Sequence, residues 1–383
     1  MNIVYFVHDQ SDAAVWRRAD MFLELGASVS MIGFRRRAFA PDGKGKIPIH
    51  DLGQTANKKF VQRLLSVARA LFTMRSYRRI VASADVIVAR NLEMLAIAVV
   101  AKLLFQRKAK LFYECLDVHS LMVGGRAISR CMRRVESLLL RSCDGVLISS
   151  PAFRRNYFEF YKIFSGEFAL LENKVLKDEL ASGGFTRHRL SAHAQPCPHG
   201  PPWTISWLGV IRCRRSLHIL DALTRRIPHL VKVNISGVPA LDQIEDFHRV
   251  VDGNPNISFG GRYDRKRDLA ALYRGAHFVW AIDFYEENFN SLWLLPNRLY
   301  EGSLFGAIPI ALSGTEISRW LVSNDAGVVL GNPLLDTLTG FFLTLTEERY
   351  KSERERLDNV EDGKLIGGDA ETSLLRSLFT ADA

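Results

Sequence analysis

Nowhere in its 383 residues does the chain carry the ~18–20 uninterrupted apolar side chains that a membrane-spanning helix requires. The nearest run, LEMLAIAVVAKLLF (92–105), is shorter and contains Glu93 and Lys102, so it reads as a buried helix. Cysteine is scarce: five residues in no CxxC pair fit a reducing compartment, predict thiols that fill cores, and argue against a zinc site. The start, MNIVYFVHDQ, lacks both the basic region and the cleavage site of a secretory leader and reads as a first strand. These absences predict a cytoplasmic chain. After that strand comes VHDQSD instead of a G-x-G-x-x-G turn, which disfavours a dinucleotide-dependent dehydrogenase. His188, His193 and His199 are too irregularly spaced to predict a metal centre.

What is present is an alternation of apolar strand-like runs with helical periodicity. NIVYFVH, a helix near 12–26, SVSMIGF, an amphipathic stretch near 58–79, DVIVA, a helix, KLFYEC, a helix near 126–142, DGVLISS, a helix near 151–162 and FALLEN follow in order. That rhythm predicts a doubly wound parallel sheet. It breaks at 182–202, rich in Gly, Pro, Ser and His. It then resumes with TISWLGV, a helix near 215–227, VKVNISG, a helix near 240–250, NISFGG, DLAALYRGA, HFVWAID and IPIAL. The expected organisation is α/β with two Rossmann-like domains, 1–173 and 204–345, joined by a linker at 174–203 and followed by a charged helical tail at 346–383. Charge is uneven: residues 1–171 carry a net +13 and the remainder −3. A basic first half predicts an anionic partner, either nucleic acid or acidic phospholipid.

Ligands of such sheets sit beyond the carboxyl ends of the strands, which singles out a few polar residues. In the first half these are His8 with Asp9, and Glu114, Asp117 and His119 in YECLDVHS. In the second they are Gly209 with Arg212, Arg214 and Arg215, and the segment from Asp283 to Ser291. The segment LLPNRLYEGSLFGAIPIAL (294–312) places Asn297, Arg298 and Glu301 at the start of a short helix. Pro296 is expected to open that helix and Gly306 to close it in the left-handed conformation. A helix start attracts phosphate through its free N–H groups and dipole.

WLGVIRCRRSLHIL, NPNISFGGRYDRKRDLAALYRGAHFVWAIDF and NSLWLLPNRLYEGSLFGAIPIALSGTE resemble, in order and spacing, the donor domain of GT-B glycosyltransferases of the family-4 type. VHDQSDAAVWRRADMFLELGASVSMIGFRR more narrowly resembles bacterial exopolysaccharide glycosyltransferases of the succinoglycan-assembly kind. The resemblance implies two domains facing a cleft, a nucleotide-sugar donor in the C-terminal half, an acceptor in the N-terminal half, and no obligatory metal or cofactor. It assigns Glu301 to the ribose hydroxyls and Asn290, Ser291, Asn297 and Arg298 to the same pocket. A departing nucleoside diphosphate needs positive charge, for which Arg212, Arg214 and Arg215 are the candidates. Retaining members of the family usually carry a second acid eight residues before the ribose acid, and here Trp293 stands there, with Glu286 and Glu287 further up the loop. An inverting enzyme needs a base for the acceptor hydroxyl: Asp117 first, with Glu114 and His119 behind it, and His8 as a possible dyad partner of Asp117 if the first strand neighbours the strand ending at Cys115.

Each residue also has a plainer reading. Glu301 could be a surface acid near a helix start, the arginines a solvated turn, Asp117 a helix cap and His119 a hydrogen-bonding core residue. In KKFVQRLLSVARALFTMRSYRR (58–79), Phe60, Leu64, Val67, Leu71 and Met74 share one side while Lys59, Arg63, Arg69 and Arg78 lie mostly elsewhere. That stretch is either an ordinary domain helix or an interfacial helix drawn to anionic lipid. With Arg133, Arg134 and FRRNYFEFYKIF (153–164), it points to peripheral association with the inner membrane and to an acceptor carried on a lipid diphosphate. The competing function is a nucleic-acid-binding α/β protein using the same basic half.

Overall fold

The computed structural model describes residues 1–36, 47–55, 60–182 and 200–381. They form two compact units, Met1–Glu172 with Gly368–Ala383, and Asn173–Gly367. The first holds a seven-stranded sheet of β1 (Asn2–Val7), β2 (Ser28–Arg35), β3 (Ile49–Gln54), β4 (Val86–Arg90), β5 (Lys110–Cys115), β6 (Gly145–Ile148) and β7 (Glu167–Leu170). Their spatial order is β3-β2-β1-β4-β5-β6-β7, and every pairing is parallel. The central strands are buried along their length, which is why VIVAR and GVLI are continuous apolar runs instead of alternating ones. Helices α1 (Ala13–Glu24), α2 (Phe60–Phe72), α3 (Leu92–Phe105) and α4 (Ala127–Leu140) are among its connections. The side chain of Asp12 caps α1, accepting from the Ala14 N–H at 2.9 Å.

The second unit carries β8 (Val175–Leu176), α5 (Lys177–Ser182), β9 (Trp203–Ile211), α6 (Arg214–Arg226), β10 (Val231–Pro239) and β11 (Ile257–Phe259). Then come α7 (Arg265–Arg274), β12 (Phe278–Trp280), α8 (Asn297–Leu304), β13 (Ile308–Leu312), β14 (Val328–Leu330) and β15 (Ile366–Gly367). Six strands form a parallel sheet in the order β11-β10-β9-β12-β13-β14, and β8 pairs with β15 in a small ribbon. In each sheet the strand order reverses once, between β1 and β4 and between β9 and β12. Such reversals are where strand ends splay apart and leave room for a ligand.

Several boundaries differ from the sequence reading. Residues 174–182 and 200–203, read as linker, belong to the second unit; 183–199, with His188, His193 and His199, lie outside the described residues. The segment read as a helical tail divides. The helix Glu347–Asp358 stays with the second unit, where the Arg354 guanidinium donates to the Gly306 carbonyl at 2.8 Å. The helix Asp369–Thr380 belongs to the first, with Phe379 packed on Phe22 and Phe112. Besides the short strands β8 and β15, two strands of the large sheets appear that the sequence did not announce. Ile49–Gln54 is an edge strand of half-exposed, mixed polarity, and Val328–Leu330 is only three residues long. The helix expected near 240–250 is Phe247–Asp252, preceded by turns. Of the stretch at 58–79, residues 58 and 59 lie outside the described residues, and the rest breaks at Phe72 into a tighter turn, Met74–Tyr77, so Met74 stands outside α2.

Candidate active site

At the reversal in the second sheet, β9 runs through Gly209, whose φ of +115° is the left-handed region that favours glycine. The strand ends at Ile211, Arg212 follows in the connection, and Arg214 and Arg215 open α6, where the Cys213 thiol caps the helix by accepting from the Ser216 N–H. The same sulfur accepts from the Phe284 N–H at 3.3 Å and so ties the loop after β12 to the start of α6. That tie stacks two of the arginines on aromatic rings: Arg212 lies 4.4 Å above Tyr285 and Arg215 lies 4.3 Å above Phe284. Arg215 also pairs with Glu287. Arg214 turns the other way, to Asp246, which His218 and Arg249 share. Of the three arginines, Arg212 and Arg215 therefore face the loop after β12.

The loop from Asp283 to Phe289 is pinned by Asn290 and Ser291, both buried. The Asn290 amide donates to the Glu286 carboxylate, and the Ser291 hydroxyl accepts from the Glu286 N–H at 2.9 Å. Glu286 and Glu287, considered as substitutes for an acid at Trp293, are thus engaged within their own loop and by Arg215. Pro296 is the N-cap of α8, and Asn297 its first helical residue, one position later than expected. Gly306 has φ +86° beyond the helix end, as a left-handed C-terminal closure requires. The Arg298 guanidinium donates to the Ile282 carbonyl at 3.2 Å and lies 3.7 Å from Asp283, which docks the first turn of α8 on the end of β12. Gly302 makes that packing possible, because a Cβ there would come within 2.5 Å of Val279.

Glu301 is only 5 % exposed, so it is not a surface acid of a helix start. A buried carboxylate requires a charged partner or several donors, and Glu301 has Arg265, whose Nε and Nη2 reach the same oxygen, Oε1, at 2.9 and 2.8 Å. Arg265 Nη1 donates in turn to Glu179 at 2.7 Å. Burial alone would lower the Arg265 pKa, but the Glu301 and Glu179 carboxylates hold it above the ordinary arginine value. Neither Arg265 nor Glu179 was singled out by the sequence reading. Arg265 sits inside DRKRD, which has the look of a solvated charge run, and 86 residues separate it from Glu179.

In the first unit the expected residues part company. Glu114, placed behind Asp117 as a base, is instead the centre of a buried ion cluster. Arg18 Nε donates to Oε1 at 2.7 Å, Arg90 Nε to Oε2 at 2.9 Å, and the Tyr5 hydroxyl to Oε2. Burial raises its pKa, but Arg90 and Arg18 overcome that and hold it down at about 2, which removes it from general-base chemistry. The expected neighbourhood of β1 and β5 is also corrected: β4 lies between them, so His8 and Asp117 do not end adjacent strands. His119, not Asp117, does the capping. Its Nδ1 accepts from the Leu121 N–H at 3.1 Å, ahead of a single helical turn at Ser120–Met122. Asp117 is exposed beyond the carboxyl end of β5. Among the described residues, no three His, Cys, Asp or Glu side chains stand together as a metal site, and no helix is long and apolar enough to cross a membrane.

No protein-family model matches the chain. It is 39 % identical over 369 residues to the succinoglycan biosynthesis protein ExoL of Rhizobium meliloti (strain 1021), covering 96 % of this chain and 90 % of that one. Among solved structures it is similar to sucrose-phosphate synthase from Thermosynechococcus elongatus, with a TM-score of 0.72 at 15 % identity over the whole of both chains. It is similar to the HepE protein of Anabaena in complex with UDP and glucose, with a TM-score of 0.65 at 14 % identity over 95 % of this chain and 94 % of that one. WaaG, a glycosyltransferase involved in lipopolysaccharide biosynthesis, gives a TM-score of 0.65 at 11 % identity over 99 % of this chain and all of that one.

Proposed function

This chain belongs to the family of the succinoglycan biosynthesis protein ExoL, and on that premise we propose that it is a glycosyltransferase of the GT-B fold. It moves a sugar from a nucleoside diphosphate sugar to a lipid-linked oligosaccharide in exopolysaccharide assembly. The observation that carries this reading is the buried Glu301, bonded by Arg265, on a helix docked at the β9/β12 reversal, with Arg212 and Arg215 held over aromatic rings of the adjoining loop.

Glu301 accepts hydrogen bonds from the ribose hydroxyls through its carboxylate oxygens. Arg212 and Arg215, beside Gly209 and the start of α6, meet the diphosphate. As the bond from the anomeric carbon to the diphosphate oxygen breaks, the electron pair leaves with that oxygen, and the guanidinium groups stabilise the growing charge. Uridine is the favoured nucleoside because the similar HepE structure holds UDP. Asp117 is the base of the acceptor unit: its carboxylate takes the proton of the acceptor hydroxyl as that oxygen bonds to the anomeric carbon. Several of the apolar residues that the first unit exposes, Leu65 and Phe72 on α2, Ile128, Val135 and Leu138 on α4, and Phe160, stand near exposed arginines in the chain. This mixture supports contact with an anionic membrane carrying the acceptor. The nucleic-acid alternative draws no support from the family.

Calorimetric titration of UDP tests the reading. Replacing Glu301 with Ala or Gln should weaken binding by about 2–4 kcal/mol, the worth of one or two hydrogen bonds to a charged group, and unchanged affinity would refute the assignment.

A further inference from the structure

We infer that Arg265 is the positioning residue that aims the Glu301 carboxylate at the ribose, and that Glu179 in turn fixes Arg265. The inference rests on the reading that Glu301 binds ribose. Three side chains from three separate elements converge: Glu179 from α5, Arg265 from the first turn of α7, and Glu301 from α8. None is solvated like an ordinary surface charge. The side chains are 23 %, 26 % and 6 % exposed.

The two bonds from Arg265 end on one oxygen, Oε1, through Nε and Nη2, while Nη1 is committed to Glu179. A guanidinium is a rigid planar fork, so anchoring one edge of it fixes the other. The position of Glu301 Oε1, and with it the direction in which the carboxylate is aimed, follows from the place of Glu179. Hydroxyl recognition needs that aim, because a donor approaching a carboxylate prefers the lone-pair directions in the plane. Arg265 also offsets a charge problem. A lone buried carboxylate beside a diphosphate would repel it, and the adjacent guanidinium cancels that repulsion over the few ångströms that matter. The phenols of Tyr263 and Tyr273 feel the same carboxylate: burial raises both pKa values, and Glu301 raises them further.

The test compares UDP with 2′,3′-dideoxy-UDP, which keeps the base and diphosphate but has no ribose hydroxyl to present. The wild-type protein should bind UDP tenfold or more tightly than the dideoxy compound, and Glu301→Gln should abolish that preference. Arg265→Lys keeps the charge but not the fork and should reduce the preference to threefold or less, with dideoxy-UDP affinity changed by less than threefold. Glu179→Gln, which loosens the anchor while leaving Arg265 in place, should lower the preference several-fold. If the Lys and Gln variants at 265 and 179 keep the full preference while Glu301→Gln loses it, the positioning role is overturned and the ribose reading stands. If Glu301→Gln itself keeps the preference, the ribose reading falls first. A parallel loss of affinity for both nucleotides in the Arg265 and Glu179 variants would mark a purely structural part and overturn the inference as well.

Discussion

Glu136, on the inner side of α4, is 2 % exposed, and it is bonded by two hydroxyls: Tyr157 donates to Oε2 and Tyr113 to Oε1. Arg133, one turn earlier, spends its hydrogen bonds elsewhere, on the Met122 and Gly124 carbonyls. Burial raises the Glu136 pKa more than the tyrosine hydroxyls and the charge of Arg133 lower it, and the carboxyl is pushed up to about 7 from an ordinary 4.5. The folded protein therefore binds a proton that the unfolded chain releases between those two values. Stability is fully present below pH 4.5 and is lost as pH rises through 7. The difference of 2.5 pH units corresponds to about 3 kcal/mol, most of which falls between pH 5 and pH 8. Of the six tryptophans only Trp16 lies in the first unit, so fluorescence reports mainly on the second. Hydrogen exchange of the β5 and β6 amides, corrected for intrinsic rates, is the assay that sees Glu136. The opening free energy should fall by about 2–3 kcal/mol from pH 5 to pH 8 in the wild-type protein, and Glu136→Gln should lack that dependence. Parallel pH profiles for the two proteins would refute the argument.

Two further perturbations follow from geometry. Gly237 faces Gly209 across the β9/β10 ladder with φ +139°, and a Cβ there would overlap the Gly209 carbonyl oxygen. Gly237→Ala should destabilise the second unit by about 3 kcal/mol or more in urea melts followed by tryptophan fluorescence, and a loss below about 1 kcal/mol would contradict the close approach. Phe72 is 90 % exposed on α2, one turn from exposed Arg69. Phe72→Ser should weaken co-sedimentation with anionic vesicles about tenfold, on the order of the 1.5–3 kcal/mol that burying such a ring provides. Equal binding of the wild-type protein to neutral and anionic vesicles would count against the membrane reading.

The two parallel sheets were legible because buried parallel strands write themselves as short apolar runs, and NIVYFV, VIVAR, TISWLGV and IPIAL are such runs. Ile49–Gln54 escaped because an edge strand buries too little to need them. The two ends of α8 were legible for another reason: Pro296 and Asn297 at its start and Gly306 beyond its end carry local backbone chemistry that a sequence displays directly. The roles of buried charges were not. Glu114 and Asp117 look alike in YECLDVHS, yet one is locked by Arg18 and Arg90 and the other is exposed.

What separates those two acids is strand order, which only the tertiary fold decides. Arg90 and Glu114 are register partners across β4 and β5, each the polar residue near the end of an otherwise buried strand. Two opposite charges at matching depth in adjacent buried strands must pair, because either alone would carry an uncompensated desolvation cost of several kcal/mol. Once β4 is known to lie beside β5, Glu114 is removed from catalysis by that argument alone, before any distance is measured. The cations of DRKRD likewise differ in whether they face an acid inside the fold. Arg267 pairs with its neighbour Asp268 and stays in solvent, whereas Arg265 turns inward to Glu301. A buried acid on a docked helix thus implies a cation from another element, and locating that cation extends the site beyond what local sequence displays.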